Sequence, residues 1–168
     1  MQNYTGHGWE GNKYDRTLSI KDIAKIMRGK LKEKFPECTF SVIKESYSMG
    51  CSLHISLMKA PFVAITKQGG TDHRTNEFAE SEYPLKQHQQ LNQYRFNSDY
   101  ESDSYGFLDG FNNGSVLTKE CFDAMAEVYK MAENFNYDDS DAMIDYFSTN
   151  FYLHLNVGKW NKEFEEIK

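Results

Sequence analysis

The chain has 168 residues, a formal charge of −6 and an isoelectric point near 5.4. That length suits one domain with a core of its own, and twelve Phe, eleven Tyr and two Trp exclude disorder throughout. Acidity excludes broad non-specific adhesion to nucleic acid but leaves a local basic site open.

Three cysteines with no CxxC spacing imply neither a disulfide framework nor a zinc ribbon. No apolar run approaches a membrane span, so no membrane partner is expected. Residues 1–16 hold Gly, Asn, His and Tyr without an apolar centre, which reads as a flexible or covering arm and not as a signal peptide. A reducing cytoplasm is therefore the expected location.

The most patterned stretch runs from Thr17 to Lys67. Ser19 followed by Asp22 forms a capping-box pattern, with Leu18 as the staple residue. Ile20, Ile23, Ala24, Met27, Leu31 and Phe35 recur at helical spacing, and Pro36 stops the helix. Lys21, Lys25, Arg28 and Lys32 fall on a second, narrow stripe of the same helix. Between Lys21 and Lys34, six basic residues face only Asp22 and Glu33, a local +4 that leaves −10 on the rest of the chain. Such a face can receive phosphates or an acidic protein; it can also be a solvated face whose lysine stems cover apolar surface.

Cys38 to Lys44 and Cys51 to Met58 both alternate with period two, the pattern of strands with one buried face. Glu45 to Gly50 reads as the hairpin connection, and Phe62 to Lys67, after Pro61, as a third strand. Residues 68–115 are irregular and carry eight acids against Arg74, Lys86 and Arg95, a local −5. A segment of that length within a domain is often functional.

Thr118 caps a second helix whose apolar positions are Phe122, Met125, Ala126, Tyr129, Ala132 and Phe135. Asp138 to Phe147 reads as a short third helix with Met143, Ile144 and Phe147 on its apolar stripe. Phe151 to Val157 alternates strongly and reads as a strand ended by Gly158, with a charged tail at 162–168.

Chemistry-bearing residues are sparse. Asp138, Asp139 and Asp141 lack the Gly and the later Glu of a calcium loop, and helix capping accounts for them. His54 and His154 both sit mid-strand on the polar side; were their strands neighbours, they could meet as acid and base or as metal ligands. Asp72-His73-Arg74 has no nucleophile placed beside it. Gly69-Gly70 matches neither phosphate-loop pattern, and Cys38, Cys51 and Cys121 fall at apolar positions. No cofactor, metal or catalytic residue is implied.

Two stretches carry a family resemblance. The first runs from Ile23-Ala24-Lys25 through Leu31-Lys32 and Phe35-Pro36 to Phe40-Ser41-Val42 and the Tyr47-Ser48-x-Gly50-x-Ser52 loop. The second comprises Phe135-Asn136-Tyr137-Asp138, Ser140-Asp141-x-Met143, Asp145-Tyr146-Phe147, Asn150-Phe151-Tyr152-x-His154 and Gly158-Lys159-Trp160. Together they resemble the large polyvalent protein-associated domains, the twenty-ninth of that series. The resemblance implies a setting in phages or conjugative elements of bacteria and brings no catalytic residues.

The resulting expectation is one α+β domain over 17–161: an antiparallel sheet of about four strands, from 38–67 and 151–157, with two to three helices mainly on one face. The expected function is a non-enzymatic binding module of a mobile genetic element, with Lys21, Lys25, Arg28 and Lys32 receiving nucleic acid or an acidic partner. One alternative is an acidic inhibitor of a host defence whose Asp99 to Asp109 segment mimics nucleic acid. The other is a hydrolase using His54 and His154. Composition and pattern set neither the partner's identity nor the oligomeric state.

Overall fold

The computed structural model describes residues 3–72, 74–75, 77–96, 106–107 and 114–168. In chain order the elements are β1 (Trp9–Glu10), α1 (Ile20–Lys34), β2 (Thr39–Tyr47), β3 (Gly50–Ala60), β4 (Ile65–Asp72), β5 (Glu77–Glu80) and β6 (Gln89–Leu91). After a 3-10 turn at Gln93–Phe96 come β7 (Gly106–Phe107), β8 (Gly114–Leu117), α2 (Lys119–Glu133), β9 (Tyr137–Asp138), β10 (Tyr152–Val157) and β11 (Glu165–Glu166). The chain is α+β.

The helices begin where their caps direct. Ser19 and Asp22 close a capping box, with the Asp22 N–H donating to Ser19 Oγ at 3.3 Å and the Ser19 N–H to Asp22 Oδ2 at 3.0 Å. The Ser19 hydroxyl, which also donates to Asp22 Oδ2, and then the Ser19 N–H hold the Asp22 carboxyl below its ordinary pKa. Thr118 Oγ1 accepts from the Cys121 N–H at 3.2 Å and starts α2.

β3 is the centre of the main sheet. It pairs antiparallel with β2 along Thr39↔Lys59 to Tyr47↔Gly50, so the loop is only Ser48-Met49 and not all of 45–50. On its other side β3 pairs parallel with β10, from Tyr152↔Ser52 to Val157↔Leu57, and beyond that with β11 at Glu165↔Lys59. β6 pairs antiparallel with β10.

The strand at 151–157 thus lies in the expected sheet but runs parallel, which corrects the all-antiparallel expectation. The connection that includes α2 is long enough to return the chain in the same direction, as a hairpin is not. The strand expected at 62–67 is also elsewhere. It starts at Ile65 and heads a second sheet of order β5-β4-β8-β7.

Leu53, Ile55 and Leu57 of β3, Leu153 and Leu155 of β10 and Val42 of β2 form one core with Ile23, Met27 and Leu31 of α1 and Met125 and Val128 of α2. Both helices therefore cover the same sheet face. Asn136, 4 % exposed, joins α2 to the sheet: its Nδ2 donates to the Phe151 carbonyl at 3.1 Å, and its Oδ1 accepts from the Phe151 N–H at 3.2 Å.

The third helix reduces to a 3-10 turn at Ala142–Ile144 capped by Asp141. Its expected apolar stripe is solvent-facing, with Met143 92 %, Ile144 59 % and Phe147 61 % exposed. Met143 and Ile144 are adjacent in a turn too short to own a buried face. Both termini are structured in part. β1 pairs with β9, and the segment expected as a tail contributes β11, with Phe164 buried and Lys59 Nζ 2.6 Å from Glu165 Oε2.

Leu155→Ala should cost about 2–5 kcal/mol by leaving a cavity in the core. Met143→Ala should lie within about 0.5 kcal/mol of wild type. Urea titration of both variants checks the pair, and equal costs would contradict this core assignment.

Candidate functional site

Two surfaces carry the residues of interest. The first is α1. Lys21, Lys25, Arg28 and Lys32 are all exposed, while Ile23, Ala24, Met27 and Leu31 are buried, because the two stripes lie about 100° apart around the helix. The four cations are not equivalent. Arg28 turns along the helix and donates from Nη2 to the Val42 carbonyl of β2 at 2.7 Å. Beside it a groove of about 440 Å³ opens between α1 and β2, lined by Arg28, Leu31, Lys32, Cys38, Phe40 and Val42 among others. The apolar floor and the two cations at its side are properties no single stripe of the sequence displays.

The second surface is the sheet face opposite the core. Parallel register places His154 directly across from His54, and antiparallel register places Ile43 on the other side of His54. The two imidazoles stack, with ring centroids 4.5 Å apart and planes 17° from parallel. Ser52 Oγ lies 3.0 Å from His54 Nε2, and Glu45 Oε2 lies 3.5 Å from the same nitrogen. Burial, and next the neighbouring His54, hold the His154 pKa below its ordinary 6.5; Glu45 pulls the other way.

This is not a nucleophilic relay. A Ser–His–acid relay needs hydroxyl and carboxylate on opposite ring nitrogens, whereas here both meet Nε2. Ser52 is also 2 % exposed, out of reach of a substrate. Among the described residues no group of three or more His, Cys, Asp and Glu side chains is placed to hold a metal ion. The three cysteines are unpaired, and burial pushes the Cys121 thiol up to about 12, far from nucleophilic thiolate.

The aspartate cluster has work beyond capping. Asp141 caps its 3-10 turn, and Asp138 Oδ1 accepts from the Ser140 N–H at 2.7 Å. Asp139, 1 % exposed, accepts from the Tyr4 N–H at 2.7 Å, the Thr5 N–H at 3.2 Å and the Thr5 hydroxyl at 2.6 Å. These donors, the Thr5 hydroxyl foremost, keep its pKa low. Its partners lie far away in sequence, so only folding reveals the role.

Beneath β1 a cavity of about 550 Å³ reaches Glu133 at the end of α2. Burial pushes the Glu133 carboxyl up to about 7, against the Asn136 amide that donates to it at 3.3 Å. The lining of this cavity also includes the carboxylate of Glu10, together with Trp9, Tyr129 and Lys130. Of the remaining sequence candidates, His73 and nearly all of Asp99 to Asp109 lie outside the described residues.

A family model described as large polyvalent protein associated domain 29 matches residues 18–110. The chain belongs to this family. The matched region of this domain-29 member holds α1, the groove and the β2–β3 hairpin with Glu45, Ser52 and His54, and ends before His154. No curated protein and no solved structure matches the chain.

Two titrations in this domain-29 protein oppose each other. His154 has a folded pKa below its unfolded one, so its contribution to stability is present above about pH 6.5 and is lost as pH falls through the folded value. Glu133 has a raised folded pKa, so its contribution is present below about pH 4.5 and is lost as pH rises through about 7. His154→Gln should flatten the acid-side loss and Glu133→Gln the loss toward neutrality. Chemical denaturation from pH 5 to 8 checks both; unchanged profiles would refute the assignments.

Proposed function

We propose that the protein is a non-enzymatic binding module of a bacterial mobile genetic element, working in the cytoplasm and engaging an acidic protein through the basic face of α1. The observation that carries this reading is the exposure of Lys21, Lys25 and Lys32 along one helix side, continuous with a groove that has both cations and apolar floor. A polypeptide with acidic and apolar side chains satisfies both features; a phosphate backbone uses only the charge. The remaining charge of −10 further opposes a long polyanion. Membership in the domain-29 family supports the mobile-element setting, through the resemblance to phage and conjugative-element proteins. Three unpaired cysteines fit a reducing compartment, and no helix among the described residues is long and apolar enough to cross a membrane.

Electrostatic docking of this kind weakens as salt screens it, with a Debye length of about 8 Å at physiological ionic strength. Fluorescent polyglutamate should therefore bind the wild-type protein at low salt and release steeply as salt rises. Lys21→Glu, Lys25→Glu and Lys32→Glu combined should weaken that binding at least about tenfold, mainly through association rate. Arg28 is left intact because it also holds Val42. Each exposed change should move stability by no more than about 0.5 kcal/mol. Equal affinity of wild type and triple variant, or none at low salt, would refute the reading.

A further inference from the structure

β2 is an edge strand. Among the described residues it pairs with β3 only, over nine residues from Thr39 to Tyr47. A free edge of this length is a template for another strand, and proteins usually blunt it. Here the blunting is a side chain: Arg28 Nη2 occupies the Val42 carbonyl. In a strand the N–H and C=O of one residue point the same way, so a carbonyl that a side chain reaches from outside marks Val42 as a residue whose backbone pair faces away from β3. With the period of two, Lys44 presents the same edge. The groove beside this edge has Leu31 and Phe40 as floor and Arg28 and Lys32 as cations.

We propose that this groove accepts an extended segment of a partner protein, with alternating acidic and apolar residues, added as a strand to the outer edge of β2. The proposal rests on the acidic-partner reading above and specifies how the partner is held. Backbone donors of the segment take the Val42 carbonyl that Arg28 now holds, which frees the guanidinium for a carboxylate of the same segment. Acidic side chains, all on the face toward α1, meet Arg28 and Lys32; the apolar ones, on the opposite face, meet the exposed Ile43 and Tyr47 of β2. Charge complementarity sets the choice of segment, and main-chain pairing supplies much of the affinity.

Amide hydrogen exchange on the full-length protein tests this. The probe is a blocked peptide of alternating Glu and Val, about eight residues long, the span of an ordinary strand. At low salt it should slow exchange of outward-facing β2 amides, Val42 and Lys44 first, by up to about a hundredfold at a free concentration of about 100 Kd. The Lys–Val counterpart should give no protection, and equal protection by it would overturn the charge argument. Val42→Pro removes the outward N–H and should abolish protection while polyglutamate still binds the helix. Peptides methylated on alternate backbone nitrogens give the same test on the unaltered protein: one methylation pattern should lose binding and the other keep it. Equal binding of both patterns overturns strand addition. So does binding of polyglutamate or duplex DNA at Lys21 and Lys25 with β2 amides unprotected by the Glu–Val peptide, which leaves the basic-face reading standing for polyglutamate and replaces it by a nucleic-acid one for DNA alone. Absence of binding by every anionic probe overturns both readings.

Discussion

The parallel pairing of β3 with β10 is the interaction on which the rest of the structure depends. It joins the N-terminal helix and hairpin to the C-terminal half of the chain. Six residue pairs fix its register, from Tyr152↔Ser52 to Val157↔Leu57. Asn136 helps set that register by holding both the N–H and the C=O of Phe151, as a neighbouring strand would. A one-residue slip would turn Leu153 and Leu155 out of the core and His154 into it. The penalty for burying unpaired polar groups is what makes the register unique.

That register also separates the two faces by function. Both helices cover the apolar face, where Leu53, Ile55 and Leu155 are inaccessible to solvent. The opposite face holds the Ser52–His54 hydrogen bond, with His154 stacked on His54. Stacked imidazoles resist simultaneous protonation, since like charges so close repel. Burial and the neighbouring His54 keep the His154 pKa below its ordinary value, and the pair packs as an element of the sheet surface. Its hydroxyl and carboxylate on one nitrogen fit polar satisfaction and not proton relay.

The sheet edges are handled unequally, and this bears on binding. On the C-terminal side, β10, β6 and β11 add successive cover, and Lys59 and Glu165 pair across it. On the β2 side the described cover is Arg28. Its part-buried hydrogen bond to the Val42 carbonyl, from a charged guanidinium, is worth about 1.5–3 kcal/mol net. An incoming strand that offers several main-chain bonds, and a carboxylate for the freed guanidinium, can displace it. The N-terminal arm shows the opposite arrangement. Asp139 gathers three donors from Tyr4 and Thr5, and Gly11 donates to the Asn136 carbonyl at 2.9 Å. A Cβ at Gly11 would stand 2.2 Å from the Glu133 carbonyl, so the arm seats only with glycine there.

Local signals determined the helices, the hairpin strands and the outward position of the basic stripe. The Ser19–Asp22 box, the Thr118 cap and the apolar repeats act within a turn or two of chain, so they are legible without a fold. The same periodicity set His54 and His154 on polar faces. It could not say that those faces were one surface, because pairing partners lie about a hundred residues apart and depend on which strands the core brings together. For the same reason it could not distinguish parallel from antiparallel for Tyr152–Val157, nor assign Ile65–Asp72 to a second sheet. Met143, Ile144 and Phe147 looked like a buried stripe because composition there suits a helix; the Asp141 cap and the left-handed Asp145, at φ 52°, close the turn after three residues instead. What only the tertiary structure decided is where long-range donors and acceptors meet: Arg28 on Val42, Asp139 on the arm, Asn136 on Phe151. Such bonds carry no periodic trace in a sequence, since their geometry exists only after the hydrophobic core has placed the elements.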